Sequence, residues 1–205
     1  MPSRGSGSNL SDVCLKASAE ATALSSAVPL TEGTRTVVAL GDSYTAVSRS
    51  AGWVPVLGMS RRWTAYAEGF GGSGFVNPGP CRNMAFAQRI GSVLDHRPDV
   101  VIVQGGMNDV GVSEDELRAA ADQVLAGLHR VPVVVVVGPP AAPARATGTA
   151  GVDRVLAEVC ATAGRTYIST QNWPLQFRAD NIHLTTPGYV DFGRRVASSV
   201  PEPFR

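Results

Sequence analysis

A chain of 205 residues with 44% hydrophobic and 17% charged side chains is long enough to bury a substantial core and reads as one soluble globular domain. Its formal net charge of +1 supplies no basic field for nucleic acid, and no stretch reaches the eighteen or more consecutive apolar residues of a membrane-spanning helix. With three histidines and three cysteines, none in a CxxC pair, a zinc site is not expected.

Residues 1–35 are a polar, Ala/Ser-rich lead in which 11–27 has the composition of a helix, with Ser11 or Asp12 as its cap. Strand-like and helix-like patterns then alternate. Residues 36–40 (Thr-Val-Val-Ala-Leu) form a short apolar strand. Trp53, Val56, Leu57 and Ser60 recur at i, i+3, i+4 and i+7, mostly apolar, and predict a helix. Residues 63–66 predict a second strand that ends before a run of glycines, and 85–94 a helix broken by Pro98. The third strand is 100–103. Ser113 and Glu116 fit a capping box, followed by one apolar stripe of Leu117, Ala120, Ala121, Val124, Leu125 and Leu128.

The β-branched run 133–137 predicts a buried fourth strand. Residues 138–151, rich in Pro, Ala and Gly, read as a long surface connection, a lid being the less favoured alternative. Val152, Val155, Leu156, Val159 and Ala163 mark a helix closed by Gly164. A short fifth strand covers 166–169, and a last helix opens with Thr186 as cap and Pro187 at its first turn. There are no internal repeats and no linker, so 36–205 is expected to be a single domain. The βαβ alternation predicts one parallel sheet with helices on both faces, a three-layer α/β/α sandwich of about five strands. Cys14, Cys81 and Cys160 allow either one disulfide and a free thiol or three buried thiols.

Four short blocks carry chemistry. Gly41-Asp42-Ser43-Tyr44 follows the first strand, at the carboxyl end where open α/β sheets gather their ligands. Gly71-Gly72-Ser73-Gly74 follows the second, and Gly105-Gly106-Met107-Asn108-Asp109 the third. Asp180-Asn181-Ile182-His183 precedes the last helix. A serine hydroxyl is a weak nucleophile unless a base lies within hydrogen-bond reach and a third group orients that base. Ser43, His183 and Asp180 are the candidates for those parts. His96 lies in a polar break and His129 at a helix end, away from the strands' carboxyl edge, so neither is expected to be the base. Asp42 reads as a turn residue, and Ser73 as a hydroxyl without a nucleophile motif.

In this order of Ser, Gly, Asn and Asp-x-x-His, the chain resembles the SGNH hydrolases, also called GDSL esterases or lipases, in particular members of actinobacterial type. The resemblance covers about 36–197. It implies a flavodoxin-like fold and a serine esterase that needs no metal or other cofactor. It assigns Ser43 as nucleophile, His183 as base, Asp180 as the carboxylate behind it, and Ser43 N–H, Gly72 N–H and the Asn108 amide as oxyanion donors. The register within residues 71–74 stays open, with Gly72 preferred.

One departure is the absence of a glycine shortly after the nucleophile, where the run is Ser43-Tyr44-Thr45-Ala46-Val47; this bears on substrate size. Tyr44, Phe75, Met107 and Trp173 are candidate pocket residues, although side chains of these types near loops are as often core. The expected partner is a small-molecule, lipid or glycan ester. Acyl transfer to, or deacetylation of, envelope glycans is the alternative activity. A non-catalytic binding domain is disfavoured because all four blocks keep their chemical residues. The resemblance points to an exported, extracytoplasmic or secreted enzyme. No apolar leader follows residues 1–7, which keeps a cytoplasmic location as the alternative. Oligomeric state is not indicated.

Overall fold

The computed structural model describes residues 10–24, 28–47 and 51–201. Five parallel strands, β1 (Thr36–Gly41), β2 (Thr64–Gly69), β3 (Val100–Gln104), β4 (Val133–Val137) and β5 (Thr166–Ile168), pair in the order β2-β1-β3-β4-β5. That is the flavodoxin-like order of a doubly wound sheet. Six α-helices accompany them among the described residues: α1 (Leu10–Leu24), α2 (Trp53–Arg61), α3 (Ile90–Asp95), α4 (Glu114–Gly127), α5 (Ala146–Thr162) and α6 (Thr186–Ser199). None is long and apolar enough to cross a membrane.

Strand alternation builds the three layers. On one face Val37, Ala39, Val100, Ile102, Val135 and Val137 meet Trp53 and Leu57 of α2 and Tyr189, Phe192 and Val196 of α6. On the other, Val38, Leu40, Val101, Val103, Val134 and Val136 meet Val93 of α3, Leu117 and Val124 of α4 and Val155 and Leu156 of α5. Both faces of each central strand are therefore buried, which is why these strands are continuous Val/Ile/Leu runs rather than alternating ones.

Residues 28–35 run along the open edge of β2. Leu30 N–H donates to Ala65 O at 2.7 Å, and Thr31 O accepts from Ala65 N–H at 3.2 Å. This caps backbone groups that would otherwise template pairing with another chain. The lead is further tied to the domain by a disulfide between Cys14 of α1 and Cys81, with Cα atoms 4.9 Å apart; Cys160 is a buried free thiol.

Several boundaries differ from those expected. Helix α1 already includes Leu10, so Ser11 and Asp12 lie inside it and neither is its cap; residues 25–27 fall outside the described ones. Strand β2 runs to Gly69, and the helix expected over 85–94 is a 3-10 turn (Phe86–Arg89) leading into α3. In α2 the buried face includes Val54 and Gly58, while Ser60 is exposed.

The long connection after β4 is short. A 3-10 turn at Pro143–Arg145 leads directly into α5, which begins six residues before Val152. Gly148 and Gly151 depress local helix propensity, but a tertiary contact compensates. The first turns of α5 pack so closely on Val110 that a Cβ at Gly148 would lie 2.2 Å from its Cγ1. Helix α6 is capped by Thr185, not Thr186: the Thr185 hydroxyl accepts from Gly188 N–H at 3.1 Å, with Pro187 in the first turn.

Candidate active site

The sheet order reverses at β1, with β2 on one side and β3 on the other, so the loops after β1 and β3 diverge and leave a crevice at their carboxyl ends. Strand β1 delivers Ser43 there. Asp42 Oδ1 accepts Tyr44 N–H at 2.9 Å, and Asp42 O accepts from Thr45 N–H and Ala46 N–H, which tightens the turn around Ser43. Ser43 N–H donates to no acceptor among the described residues. Asp42 itself is buried, and its Oδ2 has no hydrogen-bond partner within bonding distance among the described residues. Desolvation raises its pKa to about 6 against the pull of the Tyr44 N–H and the nearby Gln104 side chain.

The Asp-x-x-His block is a tight turn at the tip of a short hairpin. Arg178 N–H donates to His183 O at 2.7 Å, Thr185 N–H to Gln176 O at 2.9 Å, and Asn181 adopts a left-handed φ of 55°. Asp180 Oδ1 accepts both Ile182 N–H and His183 N–H at 2.9 Å. Its Oδ2 lies 2.8 Å from His183 Nδ1. The Ile182 N–H, the His183 imidazole and the His183 N–H together lower the Asp180 pKa to about 2, so the carboxylate is charged at neutral pH. His183 Nε2 in turn lies 3.0 Å from Ser43 Oγ. Ser43, His183 and Asp180, 140 and 3 residues apart, thus form one hydrogen-bonded chain.

Loop 70–80 flanks Ser43. A Cβ built on Gly71 would lie 4.0 Å from Ser43 Cβ. Within the glycine block, Ser73 N–H donates to Phe70 O and Gly74 N–H to Asn77 O, so both are engaged. Gly71 and Gly72 N–H have no acceptor among the described residues, which narrows the open register to these two. Gly72 has φ +78°, a conformation that a side chain would strain. Asn108, in the 3-10 turn after β3, donates from Nδ2 to Ser73 O at 2.8 Å, leaving its second amide hydrogen uncommitted among the described residues.

Two buried side chains that the motif reading passed over hold these loops. Asp109, fully buried, accepts Phe75, Val76 and Asn77 N–H at 2.9–3.0 Å. Arg89 donates to Met84 O, Glu68 O, Gly41 O and Ser73 Oγ at 2.7–3.1 Å, linking the end of β1 to the glycine loop. Burial lowers its pKa to about 10, which leaves it charged at neutral pH.

Of the expected pocket residues, Tyr44, Phe75 and Met107 are buried in the fold, and Trp173 is half-buried. Tyr44 is 1% exposed; its ring packs edge-on against Tyr189, and its hydroxyl donates to Ile182 O, so it is a strut under the Asp180–His183 turn. Phe75 packs at a tilt against Phe86, and Met107 is buried in the α2/α6 core. Trp173, half-buried, lies edge-on to Phe192. Each apolar surface faces the core, where its burial is most favourable. His96 bonds Glu68 and stacks on Tyr66, and His129 Nδ1 lies 2.8 Å from its helix's Ala126 O. Among the described residues no group of three or more His, Cys, Asp or Glu side chains is placed to hold a metal ion.

A family model described as GDSL-like lipase/acylhydrolase matches residues 39–190, most of the chain. The chain belongs to this family. This makes it a carboxylic ester hydrolase, and the fold of this GDSL-like protein recurs in solved structures of esterases. It is similar to an aryl esterase of M. smegmatis (TM-score 0.71, 18% identity, 80% of this chain and 97% of that one). It is also similar to Est24, a carbohydrate acetylesterase from Sinorhizobium meliloti (0.71, 16%, 80% and 97%). A third likeness is to a catalytic mutant of an acetylxylan esterase from Geobacillus stearothermophilus (0.68, 15%, 85% and 98%). No curated protein sequence matches the chain.

Proposed function

We propose that this GDSL-like protein hydrolyses carboxylic esters through an acyl-enzyme on Ser43. The observation that carries the reading is the continuous chain from Ser43 Oγ through both nitrogens of His183 to the ionised Asp180. With Nδ1–H held by Asp180, the neutral imidazole presents the Nε2 lone pair to the serine hydroxyl. Ser43 Oγ attacks the ester carbonyl carbon as His183 Nε2 takes its proton. The developing oxyanion is received by Ser43 N–H, Gly72 N–H and the free hydrogen of the Asn108 amide, fixed donors that need no reorganisation. His183 then returns the proton to the departing alkoxide. Water, deprotonated by the same nitrogen, cleaves the acyl-enzyme to the acid and restores Ser43.

The substrate class is a small-molecule or glycan ester, in keeping with the aryl and carbohydrate esters named for the structural relatives. An extracytoplasmic location is part of the proposal; the Cys14–Cys81 disulfide supports it, since such bonds persist in oxidising compartments.

The test is steady-state turnover of p-nitrophenyl esters by the wild type and Ser43→Ala, with fluorophosphonate labelling read by peptide mass. Label on Ser43 and a loss of at least about a thousandfold in kcat for the alanine variant are expected. Undiminished turnover by Ser43→Ala would overturn the mechanism.

A further inference from the structure

Beside the crevice lies an open, solvent-facing cavity of about 320 Å³ lined by Val13, Lys16 and Ala17 of α1 and by Gly71, Gly72 and Pro80 of the glycine loop. Three observations join it to the reaction centre. Gly71, which forms part of its wall, is the residue whose Cβ would stand 4.0 Å from Ser43 Cβ. Gly72, the other shared residue, has an N–H with no acceptor among the described residues. Pro80 Cδ would meet a Cβ on Gly72 at 3.4 Å, so the ring lies directly over that backbone.

The lining is carbon-rich: Val13, Ala17, the Pro80 ring and the two glycine α-carbons, with Lys16 as the one charged side chain. Val13 is 39% exposed although Ala17, one turn further on, is buried. The Cys14–Cys81 disulfide, whose two ends adjoin Val13 and Pro80 in sequence, tethers this apolar helix face beside the loop. Helix α1 precedes the segment that matches the family model, so this wall is supplied from outside the matched domain.

We propose that this cavity is the acyl-chain subsite, and that it takes an unbranched apolar acyl group longer than acetyl. The inference rests on Ser43 being the nucleophile. A carbonyl oxygen seated on the Gly72 N–H directs its acyl carbon chain along Gly71 and Gly72, between Pro80 and the Val13/Ala17 face. Acetyl would leave the cavity unfilled. A volume near the lower end of ligand pockets, about 300–1,000 Å³, fits a chain of several carbons better than a long fatty acyl chain. Lys16, exposed and the only lysine in the chain, borders the mouth.

The experiment compares kcat/KM for p-nitrophenyl acetate, butyrate and hexanoate on the full chain, as wild type, Val13→Trp and Ala17→Trp. In the wild type kcat/KM is expected to rise roughly fourfold per methylene, the factor that follows from burying one CH2. Indole at either position should cut the hexanoate-to-acetate ratio by about tenfold or more. A ratio unchanged in both variants, with Ser43 active, overturns the subsite alone. No turnover and no fluorophosphonate label at Ser43 overturns the subsite together with the reading beneath it.

Reductive methylation of Lys16 in the wild-type chain gives a second readout that needs no substitution. An octyl phosphonate on Ser43 should slow it relative to an ethyl phosphonate. Equal rates would overturn the proposal.

Discussion

Asp42 offers a quantitative test of how the nucleophile turn is held. Its carboxylate is 1% exposed, with one oxygen on the Tyr44 N–H and the other without a hydrogen-bond partner among the described residues. Burial lifts its pKa from 3.8 to about 6, and at about 1.4 kcal/mol per unit the ionised group costs the fold roughly 3 kcal/mol at neutral pH. The folded chain binds this proton more tightly than the unfolded chain does. Its stabilising contribution is therefore complete below pH 4 and is lost as pH rises through 6. Between pH 7.5 and pH 5 the linkage relation returns about 1.4 kcal/mol. Asp42→Asn keeps an acceptor for Tyr44 N–H but cannot titrate. Urea unfolding at the two pH values should show the wild type gaining about 1.4 kcal/mol on the variant at pH 5, with unchanged m-values. Asp180, held at about 2, loses its contribution only at lower pH, and the buried Asp109 is common to both proteins. A wild-type-minus-variant difference equal at pH 5 and 7.5 would refute the argument.

Removing the Tyr44 hydroxyl in Tyr44→Phe frees the Ile182 carbonyl under the Asp180–His183 turn. Stability should fall by about 1 kcal/mol, and ester turnover should lose kcat with KM little changed; an unaltered kcat would remove the strut from the mechanism. Arg89→Met strips one guanidinium from four acceptors, and a loss of about 3–5 kcal/mol should appear as a Tm at least about 6 °C lower by thermal unfolding. Cys14→Ser opens a link spanning 67 residues, which the chain-entropy relation values at about 4 kcal/mol; denaturant unfolding with and without reductant checks it.

Strands β1, β3 and β4 were legible because their residues are mainly apolar and β-branched, a pattern set by burial on both faces. The capping box at Ser113 and Glu116 was legible because it is local, and it forms as read. The start of α5 was not, because Gly148 and Gly151 speak against a helix locally, and the packing on Val110 that overrides them is a contact across 38 residues. The cysteine pairing was undecided for the same reason: nothing near Cys14 in sequence reveals that α1 lies against the loop of Cys81. Tyr44, Phe75 and Met107 carried apolar side chains into site loops, but composition does not say which side of a loop faces the core.

What the sequence determined by itself was the set of reactive groups and their order on strand ends, since a strand's burial and a turn's glycines are local properties. That Ser43 Oγ meets His183 Nε2, that Arg89 and Asp109 brace the glycine loop, and that a disulfide-held helix walls a cavity beside it were decided by tertiary structure alone. Those contacts join residues far apart in the chain, and their geometry follows from the winding of the sheet and the packing of its helices, which no single segment encodes.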